Sequence, residues 1–60
     1  MKVRFVLRQG GTGLELAQKD ADSSYPTDEA ADYAGQMTRW LAEDYIILNV
    51  GDTLTIEEVE

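Results

Sequence analysis

The sequence predicts an α+β fold: one small domain, residues 1–60, with a three-stranded antiparallel sheet of order 2-1-3 and one amphipathic helix across one face. Three observations lead there. Two stretches that alternate with a period of two flank a glycine-rich turn; a run with helical spacing follows a proline-containing linker; and the chain closes on a third alternating stretch.

The first stretch is Lys2 to Gln9, with Val3, Phe5 and Leu7 on one side and Lys2, Arg4, Val6 and Arg8 on the other. Gly10-Gly11-Thr12-Gly13 supplies the positive φ that a hairpin turn needs, and Leu14 to Gln18 alternates again. If Gln9 faces Leu14, then Arg8 opposes Glu15, Leu7 opposes Leu16 and Val6 opposes Ala17. Apolar pairs then share one face and opposite charges the other. Asp20 to Pro26 reads as turn chemistry, since Pro26 cannot continue a central strand.

Thr27 is placed to cap a helix, with Asp28 and Glu29 in the first turn where negative charge suits the dipole. Ala30, Ala34, Met37, Leu41 and Tyr45 recur at helical spacing, and Tyr33 and Trp40 widen the stripe. The helix is expected from about Thr27 to Asp44. The β-branched and aromatic residues of Tyr45 to Val50 favour a strand, yet nothing breaks the preceding helix before Asn49 or Gly51; either way the stretch is expected to be buried. Thr53 to Glu57 is the last strand. The layout is therefore ββαβ, or ββαββ if residues 45–50 form their own strand. The expected core is Val3, Phe5, Leu7, Leu14, Leu16, Ala34, Met37, Leu41, Tyr45, Leu54 and Ile56, and the helical crossover is expected to be right-handed.

Composition limits the chemistry. The 60 residues include no Cys and no His, so no disulfide, no Cys/His zinc site and no side chain with an unperturbed pKa near neutrality is available. A chain this short buries only about 60% of its unfolded surface, which makes association with a partner or a second copy valuable. Net charge is −7. Residues 1–19 hold four cations and one acid, and residues 20–60 hold one cation and eleven acids. Such a balance repels phosphate, so direct nucleic-acid binding is not expected. The amino terminus alternates where a signal peptide would run apolar, and the longest apolar run is far below the ~20 residues that span a bilayer. A cytoplasmic protein with no membrane partner is expected, and Met1 is read as the start of a small reading frame.

The motifs that suggest chemistry lack their required context. Gly10 to Gly13 has neither the Lys-Ser/Thr nor the following helix of a phosphate loop. Asp20-x-Asp22-x-Ser24 opens like a calcium loop, but Tyr25 and Ala31 stand where Gly and Glu are required. Asp28 and Asp32 share a helix face only in exposed first turns, Glu43-Asp44 and Glu57-Glu58 diverge as sequence neighbours, and Ser23 and Ser24 have no His. No catalytic residue, metal or cofactor is expected. Trp40 is a core residue first and a partner anchor second.

One helix covers one sheet face, so the uncovered face is the expected contact surface. It is read as Arg4, Val6, Arg8, Glu15, Ala17, Lys19, Thr53, Thr55, Glu57 and Val59. The candidate partner-binding residues are Arg4, Val6, Arg8, Ala17, Thr55 and Glu57, with the free strand edges as a second route. Their occupant would be another protein or a second copy of the chain. Two further classes stay open. One is an acidic nucleic-acid mimic using Asp28, Asp32, Glu43, Asp44, Asp52, Glu57 and Glu58; the other is a small structural or assembly subunit. Ala21-Asp22-Ser23, Asp28-Glu29-Ala30 opening a helix and Thr53 to Glu60 closing the chain resemble a class of very small phage and prokaryotic ββαβ proteins, similar in layout to the phage T7 inhibitor of host RNA polymerase. That resemblance implies a binding role, such as inhibition or modulation of a host protein, and transfers no functional residue.

Overall fold

The computed structural model describes residues 2–22 and 30–59. Three strands, β1 (Lys2–Arg8), β2 (Glu15–Asp22) and β3 (Thr53–Val59), form an antiparallel sheet in the order β2-β1-β3, with helix α1 (Ala30–Glu43) between β2 and β3 in the chain. This is the expected ββαβ architecture. The Thr27 cap, Pro26, Asp28 and the Ser23-Ser24 pair lie outside the described residues.

The hairpin turn closes as its residues require. The Gln9 N–H donates to the Leu14 carbonyl at 2.8 Å, and Gly13 N–H returns to the Gln9 carbonyl at 3.0 Å. Gly11 and Gly13 take φ of 84° and 73°, which a Cβ would resist. Arg8 then opposes Glu15, as expected. Beyond that pair the register shifts, because Leu7 faces Ala17 and Val6 faces Gln18, leaving Leu16 as an extra residue. The bulge corrects the expected Leu7–Leu16 and Val6–Ala17 pairs. Ala17 and Ala21 pack against the core under the helix, Lys19 shares their face, and Gln18 and Asp20 take the outer side. Leu14 and Leu16, expected in the core, are exposed.

The core is built on the centre of the sheet. Val3 and Phe5 are buried with Tyr33 and Trp40, and Met37, Leu41, Ile46 and Leu54 pack against this group half-buried. Phe5 meets Tyr33 edge-on, with ring centroids 6.2 Å apart at 73°, and Trp40 at 6.3 Å and 32°. Burying an aromatic of this size stabilises by about 1.5–3 kcal/mol, so these three rings dominate a core of few members. The inward helix stripe is Tyr33, Met37, Trp40 and Leu41. Ala34 and Tyr45, expected inside, are exposed, as is Ile56 at 41% on edge strand β3. A methyl at position 34 reaches too little apolar surface to set the helix rotation against two aromatic rings.

Residues 45–50 form neither strand nor helix. The chain leaves α1 through a left-handed residue, Tyr45 (φ 54°), with Ile46 N–H bonded to Leu41 C=O at 2.9 Å and Tyr45 N–H to Ala42 C=O at 3.4 Å. This is the Schellman pattern, and its apolar contact is supplied by Ile46 and Leu41, both packed on the core. A turn from Asn49 to Asp52 with Gly51 at φ 97° then leads into β3.

The turn before β3 docks on the hairpin. Gly10 N–H donates to Asp52 Oδ1 at 3.0 Å, and an added Cβ at Gly10 would stand 2.4 Å from the Gly51 carbonyl oxygen. Gly10→Ala must therefore displace backbone. It is expected to destabilise the fold by about 1–3 kcal/mol, as overpacking does, in urea unfolding followed by Trp40 fluorescence. Tyr45→Gly is expected to act in the opposite sense, raising stability by about 1 kcal/mol in the same assay, because glycine adopts the left-handed cap without the Cβ penalty and the Tyr45 side chain is 90% exposed.

Candidate functional site

Two surfaces are candidates for a contact site: the sheet face opposite the helix, and the 45–50 loop. The outer face displays a central row of Lys2, Arg4, Val6 and Arg8, flanked by Gln18 and Asp20 on β2 and by Thr53, Thr55, Glu57 and Val59 on β3. Arg4 stands opposite Asp20 and holds it with two bonds, Nε to Oδ1 at 2.7 Å and Nη2 to Oδ2 at 3.3 Å. Arg8 stands opposite Thr53, yet its Nη1 lies 2.8 Å from Glu57 Oε2, a residue opposite Arg4. On that diagonal Nη1 also donates to Thr55 Oγ1 at 3.1 Å. The arginine therefore lies along the sheet across the Val6–Thr55 row, and Val6 is only 1% exposed.

The six residues read as a contact patch are thus dispersed in role. Arg4, Arg8, Thr55 and Glu57 share the outer face but are engaged with Asp20 and one another. Val6 lies beneath them, which corrects its reading as an exposed apolar spot. Ala17 is corrected to the helix face, because the Leu16 bulge reverses the orientation of every residue after it on β2.

The ion pairs leave an electrostatic signature. Asp20 is held below the usual carboxylate range chiefly by its hydrogen bond with Arg4, opposed by desolvation and assisted by that cation's charge. Glu57 is lowered chiefly by its hydrogen bond with Arg8, opposed by desolvation and assisted by Thr55. Both arginines are raised by the same bonds.

The loop is a different kind of surface. Loops are ordinarily polar, yet Tyr45-Ile46-Ile47-Leu48-Asn49-Val50 has no charge, and only Ile46 reaches the core. Tyr45 is 90% exposed, Ile47 77%, Leu48 50%, and Val50 is fully exposed. The expectation that this stretch is buried is corrected here. A helix that ends at Glu43 and a strand that begins at Thr53 leave it outside both layers, and one inward residue suffices to anchor it.

Both ends of the loop are fixed by backbone bonds. The Schellman pattern holds its start; at its end the Asp52 carboxylate accepts Asn49 N–H at 3.2 Å on Oδ2 and Gly10 N–H on Oδ1. The result is an apolar ridge on a set base, an arrangement that lowers the ordering cost of binding.

Among the described residues, the surface also carries two grooves. One, of about 170 Å³, lies between α1 and β2 with Phe5 and Trp40 beneath it and Lys19, Gln36, Arg39, Glu43 and Asp44 around it. Trp40 is buried, and its Nε1–H donates to Asp44 Oδ2 at 3.0 Å, so the indole is a core residue with a satisfied polar end. The other, of about 200 Å³, lies at the Lys2 end of the sheet among Asp20, Asp22 and Val59. Among the described residues, no three His, Cys, Asp or Glu side chains group as metal ligands, and no helix is long and apolar enough to cross a membrane. Of the acids named for a nucleic-acid mimic, Asp44, Asp52 and Glu57 are engaged in internal bonds. Comparison with protein-family models, curated proteins and solved structures returns no match.

The lowered carboxylates of Asp20 and Glu57 contribute stability in full above their ordinary values of 3.8 and 4.5, and lose it as pH falls through their lower folded values. Thermal melts from neutrality to about pH 2 are expected to show this loss. The Asp20→Asn/Glu57→Gln double variant is expected to start lower at neutral pH and to fall less steeply in acid.

Proposed function

We propose that this protein is a non-catalytic protein-interaction module whose contact surface is the apolar loop of residues 45–50. One observation carries the reading: four large apolar side chains, Tyr45, Ile47, Leu48 and Val50, stand in solvent on a loop hydrogen-bonded at both ends. Scattered exposed apolar residues need no explanation, but a contiguous group of them is a feature of interaction sites. A marginal 60-residue fold that leaves such a group outside its core forgoes about 1.5–3 kcal/mol for each large side chain it could have buried.

The closed outer face supports the same choice. Its central polar groups, Arg4, Arg8, Asp20, Thr55 and Glu57, are already engaged within the chain, so a partner there would have to compete with Arg4–Asp20 and Arg8–Glu57. Inhibition or modulation of a host protein, as in the small phage proteins of similar layout, is the biological setting we propose for the module. That setting rests on the likeness of layout alone.

Immobilised wild-type chain and an Ile47→Ser/Leu48→Ser variant, offered in parallel to an extract of the source cells, test the reading. Both positions are at least half exposed, so the variant is expected to keep the wild-type melting temperature within about 3 °C. Proteins retained by the wild type should be reduced at least tenfold on the variant. Equal retention would place the contact surface elsewhere.

A further inference from the structure

We propose that the outer edge of β3 pairs with the same strand of a second copy, antiparallel about a two-fold axis at Ile56, so that two three-stranded sheets join into one. This edge is distinct from the loop of residues 45–50, and the inference holds whether or not that loop is a contact surface. The strand order β2-β1-β3 leaves two edges. They differ in kind. β2 carries the Leu16 bulge and the charges of Lys19, Asp20 and Asp22, the devices by which an edge resists pairing. β3 runs opposite β1 from Thr53 to Val59 with no shift of register, and it contains no Pro, Lys or Arg. The direction of its hydrogen bonding follows from the hairpin. Gln9 N–H donates toward β2, so alternate β1 residues turn their main-chain groups that way; Val6, of opposite parity, turns its carbonyl to β3, where it lies 3.5 Å from Thr55 Oγ1. Thr55 stands opposite Val6 and turns its own main-chain groups to β1. Leu54, Ile56 and Glu58 therefore direct their N–H and C=O groups outward, where no described strand receives them.

An axis at Ile56 suits the strand to itself. It sets Ile56 against its twin, Leu54 against Glu58 and Thr55 against Glu57, and it brings together the residues whose main-chain groups point outward. No acid of the strand then stands directly opposite an acid. Moving the axis one residue forward would put Glu57 against Glu57, and one residue back would bring Asp52 against Glu58. Ile56 stands opposite the buried Phe5 yet is 41% exposed, because nothing adjoins it on the open side of the sheet; its twin supplies that neighbour. Glu57, next to the axis, carries its own cation, Arg8 at 2.8 Å, so each copy brings a compensated charge there. The remaining repulsion comes from the net charge of −7 on each chain, and salt shortens its reach to about 8 Å at physiological ionic strength. Another protein would have to bring a matching strand edge of its own, whereas this chain already holds one.

Sedimentation equilibrium of the full chain from about 10 μM to 1 mM tests this, because edge pairing alone buries less than a standard-size interface and gives a weak complex. A dimer is expected to be populated at the upper end of that range and to tighten as salt rises from about 50 to 500 mM, since screening removes repulsion between like-charged chains. Ile56→Lys sets two cations against each other on the axis and should raise the dissociation constant at least roughly tenfold with the far-UV spectrum unchanged. The register is read by single cysteines in a chain that has none of its own. Ile56→Cys should form a disulfide dimer under mild oxidation at least about tenfold faster than Glu58→Cys, because paired Cα atoms on the axis fall within the roughly 4.4–6.8 Å that a disulfide needs, and Glu58 lies off it. That readout also serves if Ile56→Lys does not fold. A monomer at every concentration, a dimer indifferent to Ile56→Lys, or equal crosslinking at the two positions overturns the inference. A dimer lost instead through Ile47→Ser/Leu48→Ser would overturn it as well, while supporting the loop as the contact surface.

Discussion

One helix cannot cover both faces of a sheet, and the fold depends on how the central strand is buried regardless. Under α1, Val3 and Phe5 are closed in by Tyr33 and Trp40. On the other side the sealing element is a charge: Arg8 reaches diagonally past Thr55 to Glu57, lying across Val6. An exposed ion pair contributes little through its Coulomb energy, so the value of this one is largely steric, the long aliphatic stem being held where it excludes water. β1 thus gains burial on two faces from a chain with enough residues for one proper layer.

That solution decides which surfaces stay open. The face expected to be open is occupied by its own side chains, while the segment expected to be interior stands outside. The two facts are connected through position in the sheet. A central strand can borrow cover from neighbours on both sides, whereas a loop beyond the end of α1 has neighbours on one side only and can tuck in a single residue, Ile46. Asp52 then ties the loop to Gly10, forty-two positions away in sequence, so the ridge is supported by the hairpin as well as by the helix.

Much of the fold was legible from spacing alone. The alternation of Val3, Phe5 and Leu7 identified the buried strand, the glycines identified the hairpin with its Gln9–Leu14 closure, and the alternation after Thr53 identified the third strand and its place beside β1. Three features were not legible. The Leu16 bulge has no residue signature, since Leu14-Glu15-Leu16-Ala17 alternates well whether or not one residue is extra. The helix was turned by the pull of Tyr33 and Trp40, which a count of apolar spacings weighted no more than Ala34. The loop is expected inside because Ile and Leu in a row argue for burial, whereas the helix ends at Glu43 and the strand begins at Thr53, so the loop belongs to neither layer and four of its apolar side chains stay in solvent.

The bulge sets the side on which each later residue of β2 stands. Deleting Leu16 would remove the surplus and leave a regular ladder, with Arg8 still opposite Glu15, Leu7 opposite Ala17 and Asp20 beside Arg4. Closing the bulge with Leu16 retained would instead bring Leu16 opposite Leu7 and exchange the two sides of the strand, turning Ala17, Lys19 and Ala21 outward and Gln18 and Asp20 toward the helix, and Arg4 would lose its acid. A length change in this hairpin arm is therefore to be judged by the pairing it leaves before its size is considered.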